Sequence, residues 1–231
     1  MPSINILSGG AAQALVRAIE PEFRRRTGLA IDGEFGAVGM MRAKLANGYP
    51  ADLVILTATI LADLAKSGAV LSDTIADIGD VETAIAVREG DPSPAIADGE
   101  SLRSALLAAE AIFFPDPKTA TAGIHFADVI DKLGIAETVN ARLRPFPNGA
   151  TAMAAMAKAS ERSVIGCTQV TEIKATPGTK LVAILPPGFG LTTRYTGGVV
   201  KGAAASEAAR HLLDLLSSDE AADARKQAGF V

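Results

Sequence analysis

Short apolar runs alternate with helical patterns along the first half of the chain, and a glycine-bearing turn joins several runs to the helix that follows. This alternation limits the fold more than any other feature, because repeated strand–helix units build a mainly parallel sheet with helices on its faces. Ile4 to Leu7 reads as the first strand. Ser8-Gly9-Gly10 then opens a helix from about Ala11 to Thr27, with Gly28 in the usual C-terminal place. Pro21 falls inside that helix and is expected to kink or split it, since it lacks an N–H for the interior hydrogen bond. Leu29 to Phe35 is a second strand, Gly36-Ala37-Val38-Gly39 a second turn, and Met40 to Asn47 its helix. Asp52 to Leu56 is a buried strand, and the helix Ile60 to Lys66 is closed by Gly68.

Beyond Gly68 the rhythm loosens. Thr83 to Arg88 reads as a strand and Gly90-Asp91-Pro92-Ser93-Pro94 as a loop. Leu102 to Ala109 is helical, Ala111 to Phe114 is a strand, and Pro115-Asp116-Pro117 breaks it before a helix from about Gly123 to Leu133. Asn148 to Ser160 is an Ala/Met-rich helix, followed by strands Val164 to Thr168, Thr179 to Leu185 and Gly197 to Lys201. Ser206 to Leu216 is a closing helix with a leucine face, and a short helical tail follows it. No loop is long enough to link independent domains.

Composition removes several function classes. The net charge is −4 with no basic stripe, which excludes nucleic acid as the expected partner. A single cysteine, Cys167, and two distant histidines, His125 and His211, argue against a disulfide or a Cys/His metal site, so no metal or cofactor is expected. Aromatics at 4% and the absence of Trp speak against a ring-lined sugar site. No apolar run approaches the roughly 20 residues needed to span a bilayer. Met1-Pro2-Ser3 leads straight into the first strand without a basic segment and apolar core, so as written the chain is expected in the cytoplasm, or in the periplasm if an export signal has been trimmed.

Four turns stand between a strand and a helix: Ser8-Gly9-Gly10, Gly36 to Gly39, Pro117 to Gly123 and Asn148-Gly149-Ala150-Thr151. At each, free N–H groups and the positive end of the helix dipole point outward, and small residues let a ligand approach the backbone. Any one such turn reads more readily as a turn and cap than as a site. Together they suggest an anion site at the carboxyl ends of the strands.

The order strand, SGGAAQAL, helix, RRRTG, strand, EFGAVGMMRAKLANGYPADLVIL resembles the first lobe of the molybdate-binding proteins of ABC transporters. DPKTATAG is similar to that family's Asp-Pro-Lys-Thr-x-Pro-Ala-Gly, SVIGCTQVTEI to its Ala-Gly-Ile-Val-Tyr-x-Thr-Asp, and the ending QAGFV to its Gly-Phe terminus. The resemblance implies an α/β, two-lobed type II periplasmic-binding-protein fold, each lobe a mixed sheet flanked by helices, with the ligand cleft between the lobes. It also implies lobe boundaries at 1–82 plus 195–231 and 83–194, and a monomer that serves a transporter permease.

The same resemblance implies a site built from Ser8, Gly9, Gly10, Ala11, Gly36, Ala37, Val38, Gly39, Thr119, Thr121, Ala122, Asn148, Gly149, Ala150, Thr151 and Gln169. Molybdate and tungstate binders hold the oxyanion with two serines, backbone amides and a tyrosine hydroxyl. Here those side-chain positions fall on Gly10, Val38 and Gln169. Losing such donors costs on the order of 1–3 kcal/mol each, so an organic polycarboxylate is expected over molybdate. Arg194 and Tyr195 stand before the return strand, where Arg194 either forks onto a solute carboxylate or sits solvated. His125 is either a ligand or catalytic contact or a structural residue, and Glu172 either a base or an inert helix-surface carboxylate. Cys167 reads as a buried small hydrophobe, and the Met40-Met41 and Met153-Met156 pairs as core.

A solute-binding protein for a small anion is the first reading. The alternatives are an isomerase of the aconitate-isomerase type acting on a tricarboxylate, a molybdate or tungstate transport component, and a cytoplasmic ligand sensor.

Overall fold

Apolar runs became strands and amphipathic runs became helices, and the ends of both follow glycine and charge. In a computed structural model, which describes residues 2–231, the strands are β1 (Ser3–Gly9), β2 (Ala30–Gly36), β3 (Leu53–Thr57), β4 (Ala76–Arg88), β5 (Ala111–Pro115), β6 (Leu143–Phe146), β7 (Val164–Gln169), β8 (Thr179–Ile184) and β9 (Thr192–Val199). The helices are α1 (Gln13–Thr27), α2 (Val38–Ala46), α3 (Ala58–Lys66), α4 (Gly99–Ala108), α5 (Thr121–Lys132), α6 (Ala136–Val139), α7 (Gly149–Ala157), α8 (Val170–Ala175), α9 (Ser206–Ser217) and α10 (Ala222–Ala228). The chain divides into two compact units, Met1–Val81 with Thr193–Val231, and Glu82–Thr192. Glu82 therefore belongs to the second unit, while Thr193 and Arg194 belong to the first, a small shift from the expected boundaries.

In unit 1, β2, β1 and β3 run parallel and β9 lies antiparallel beside β3. Ile4, Ile6 and Leu7 of β1 and Leu53 to Leu56 of β3 are fully buried or nearly so, as expected of strands covered on both faces. α1 packs against α9 and α10. The leucine face of α9 is buried, and each such side chain stabilises by about 1.5–3 kcal/mol. α1 is not split at Pro21. Pro21 is exposed, as is Arg17 one turn earlier, so the carbonyl that loses its donor faces solvent.

Unit 2 repeats the plan. β7, β5 and β6 run parallel, and β4 and β8 complete the sheet antiparallel. Its core joins Ile85, Leu102, Leu106, Ile112, Phe114, Phe126, Ile165 and Cys167, with Phe114 and Phe126 edge to face at 5.5 Å. Met153 and Met156 fill the space left by Gly166, where a Cβ would stand 2.5 Å from the Met153 methyl. Met41 is buried too, but Met40 is 40% exposed, so only one of that pair is core.

Candidate functional site

The parallel strands of each unit end in step. In unit 1, Gly9 at the end of β1 pairs with Gly36 at the end of β2, so the two following helix starts emerge side by side. The β1 turn enters a short 3-10 helix, Gly10–Ala12, that continues into α1. Ala37 precedes α2, whose first turn begins at Val38, ahead of the expected Met40. No side chain caps either start. A Cβ on Gly9 would lie 2.8 Å from the Tyr195 ring and 3.0 Å from Val38 Cγ1, so Gly9 is the residue that lets these groups close over the turn. Tyr195 and Val38 are buried there, which makes one wall of the turn apolar. The Ser8 hydroxyl is also buried and donates to the Gly9 carbonyl at 2.9 Å.

Arg194 is taken up inside unit 1. Its Nε and Nη2 fork onto the two Asp80 carboxylate oxygens at 2.8 and 2.9 Å, and Nη1 reaches Asp77 at 3.3 Å. The guanidinium holds the Asp80 carboxyl below the usual carboxylate range. Arg194 is thus paired with Asp80 and Asp77 at the surface of unit 1, and its fork has an internal acceptor.

In unit 2, β5 and β6 also end together, with Pro115 beside Phe146. The loop after β5 winds around Asp116, which accepts the N–H groups of Lys118 and Thr119 at 2.9 and 2.8 Å and the Thr119 hydroxyl at 2.9 Å. These bonds lower the Asp116 carboxyl, the Lys118 N–H first among them. Thr119 therefore serves the turn. The start of α5, Thr121-Ala122-Gly123, carries no side-chain cap. Gly123 packs so closely that a Cβ would stand 2.3 Å from the Pro115 carbonyl oxygen.

His125, one turn into α5, donates Nε2–H to the Phe189 carbonyl at 2.7 Å. Lys132 on the same helix donates to the Gly188 carbonyl at 2.8 Å and lies over the Phe189 ring. His125 is half-buried and ties α5 to this loop.

The start of α7 is occupied from within. Asn148 accepts the Thr151 N–H at 2.9 Å, and the Thr151 hydroxyl donates to the Asn148 carbonyl at 2.9 Å. The N–H groups of Gly149 and Ala150 go to the Glu172 carboxylate, which also accepts the Gln169 N–H and, at 2.5 Å, the Thr168 hydroxyl. Glu172 is buried, not a helix-surface residue. Burial pushes its carboxyl up, against the pull of these four donors. Asn148, Gly149, Ala150 and Thr151 thus meet each other and Glu172 in this structure. Gln169 is buried at the end of β7 and does not cap its own helix α8. Sequence reasoning missed Asp116 and Glu172 as turn acceptors. The signal for the first was present, since Asp before Pro at a strand end is a common turn former.

Among the described residues no group of His, Cys, Asp and Glu is placed to hold a metal ion, and no helix is long and apolar enough to cross a membrane. Residues 4–231 match the family described as bacterial extracellular solute-binding protein. Aconitate isomerase of a Pseudomonas species is 28% identical over 99% of this chain and 87% of that protein. The molybdate-binding protein ModA of Escherichia coli K12 is 21% identical over 98% of this chain and 88% of its own length. The periplasmic molybdate-binding protein of Azotobacter vinelandii superposes with a TM-score of 0.82 at 16% identity, covering 99% of each chain. That likeness shows the fold, which is the α/β fold of the type II periplasmic binding proteins.

Proposed function

Since the chain belongs to the bacterial extracellular solute-binding protein family, we propose that it binds a small organic polycarboxylate and delivers it to a transporter permease, acting as a monomer. The observation that carries this reading is the side-by-side emergence of two uncapped helix starts in unit 1, at Gly9-Gly10 and Ala37-Val38-Gly39. Paired helix starts offer backbone N–H donors to an anion without any cationic side chain. Unit 2, taken by itself, has an uncapped helix start of the same kind at Thr121-Ala122 of α5.

The side chains around these starts favour an anion with carbon in it. Val38 and Tyr195 present apolar surface at Gly9, and the Ser8 hydroxyl is engaged with a backbone carbonyl. A tetrahedral metal oxyanion would have only backbone donors in unit 1, whereas a polycarboxylate would set its carbon skeleton against Val38. The family description and the periplasmic relative support action outside the cytoplasm over the cytoplasmic placement expected from the sequence as written.

Titration calorimetry against cis-aconitate, tricarballylate and molybdate tests this. Tricarboxylate binding at least about tenfold tighter than molybdate, or about 1.4 kcal/mol, is the expected result. Submicromolar molybdate binding with no tricarboxylate binding would overturn it.

A second reading, isomerisation of a tricarboxylate, is favoured by the aconitate isomerase likeness across almost the whole chain. It requires a base that moves a carbon-bound proton. With Nε2–H held by Phe189, His125 has only Nδ1 for that role. Proton NMR of cis- and trans-aconitate in deuterated water decides it: exchange in the unmodified protein that His125→Gln abolishes supports the enzyme, and binding without exchange leaves the carrier.

A further inference from the structure

The Glu172 carboxylate does more than end a helix. It is the third residue of α8 and accepts the N–H of Gln169, the residue that precedes that helix. This is the return half of a capping box, made by an acid at the third position. The same carboxylate accepts the Gly149 and Ala150 N–H groups at the start of α7. One buried anion therefore joins the first turns of two helices, and the Thr168 hydroxyl at 2.5 Å holds it in place. The site is shaped for it. A Cβ on Gly149 would fall 2.0 Å from Glu172 Oε2 and 2.1 Å from Thr168 Oγ1, so only glycine admits the carboxylate here.

We propose that Glu172 is a positioning and specificity-determining residue: its carboxylate stands in for a solute anion at the start of α7, closes that start to solute, and through the Gln169 N–H sets the Gln169 side chain. The first part stands on the geometry of unit 2 alone, and the second rests on the binding reading above. Its consequence for the solute is definite. The first turn of α7 already holds an anion, and bringing a second carboxylate beside Glu172 would set like charges together with little solvent between them. Unit 2 therefore receives one anionic group of the solute, at the start of α5, and meets the rest of it with the Gln169 amide.

Sodium formate, the smallest carboxylate, is the probe. The melting temperature of Glu172→Ala is followed in rising formate, with sodium chloride at equal ionic strength and the unmodified protein alongside. The variant should melt lower and regain melting temperature with formate well beyond any rise in the unmodified protein, as a ligand that binds only the folded vacated site must produce. Without formate its affinity for cis-aconitate should fall about tenfold or more, and saturating formate should restore most of the loss, the range expected when a group that orients a contact is removed. A formate response no larger than that of the unmodified protein overturns the filled helix start. Unchanged cis-aconitate affinity in Glu172→Ala overturns the positioning role.

Gly149→Ala is the second variant. Its Cβ displaces the carboxylate without removing it, so solute affinity should fall with no formate rescue, and a full rescue would count against the proposal. If Glu172→Ala does not fold, Glu172→Gln, which keeps the size, decides positioning through the same affinity measurement. If the unmodified protein binds no tricarboxylate, the binding reading fails, and the formate response still decides whether α7 holds a replaceable anion.

Discussion

The two units share a plan and differ in how they treat their helix starts. In unit 1 the starts after β1 and β2 have no side-chain cap, and the nearest side chains, Val38 and Tyr195, are apolar or packed. In unit 2 the chain supplies its own acceptors: Asp116 for the loop before α5, Asn148 for α7, and Glu172 for α7 and α8 together. One unit leaves backbone donors available and the other engages most of them internally. The lesson is that a strand-to-helix turn identifies a place where an anion fits, without saying whether the chain has already provided one.

The comparison can be broken most severely at Gly123. Gly123→Ala places a Cβ against the backbone oxygens of Pro115 and Asp116, which cannot rotate away. The cost should reach the top of the about 1–3 kcal/mol range for overpacking or exceed it. Hydrogen exchange should show the loss in β5 and α5 first; protection in β5 and α5 equal to that of the unmodified protein would contradict the close approach of Gly123 to the backbone.

Val38→Ser sharpens the contrast from the other side, because it gives the bare start of α2 a hydroxyl. Molybdate affinity should rise about 10- to 150-fold, as one added hydrogen bond to a charged group contributes about 1.5–3 kcal/mol. Calorimetry showing no gain would mean that side-chain donors do not set selectivity in unit 1.

Asp116→Ala removes an internal acceptor in unit 2 and should cost about 1 kcal/mol, the net value of a typical hydrogen bond. The sign of its pH dependence follows from the lowered carboxyl. The stabilisation is present above the unfolded carboxylate pKa of about 3.9 and is lost as pH falls through the lowered folded value. Denaturation between neutral and acid pH should therefore show the variant and the unmodified protein converging on the acid side.

Arg194→Ala should have the smallest effect. The pair is on the surface, with the arginine side chain 55% exposed, and such pairs contribute about 0.2–1 kcal/mol and fade with salt. Solute affinity should stay within about twofold, since no differential contact is removed. A larger loss would show that Arg194 leaves Asp80 when solute binds.

Much of this architecture was legible in the sequence because strands β1, β3, β5 and β7 are short, largely apolar runs and helices α1, α2, α3 and α5 are followed within two residues by glycine. The first half of β4 was not, because Asp77, Gly79 and Asp80 interrupt its apolar pattern. β6, Leu-Arg-Pro-Phe, was missed because a half-exposed edge strand shows little alternation. At the site, the turns could be located but the partners of their side chains could not. Arg194 meets Asp80 across 114 positions and His125 meets Phe189 across 64, and nothing local in sequence encodes such pairings. Glu172 was legible as an acid near the turn, but its burial depends on Gly149 approaching from another helix.

Unit 1 is made of two separate stretches of chain, whereas unit 2 is one uninterrupted stretch between them. This orders the events on the ribosome. Strand β3 lies beside β9, so its antiparallel partner is synthesised only after all of unit 2 has appeared. The nascent chain should present a complete, foldable unit 2 while the early strands of unit 1 still expose apolar surface. Those early strands, rich in Ile, Leu and Val, are then the segment that a trigger-type chaperone would need to shield, although they leave the exit tunnel before unit 2 does.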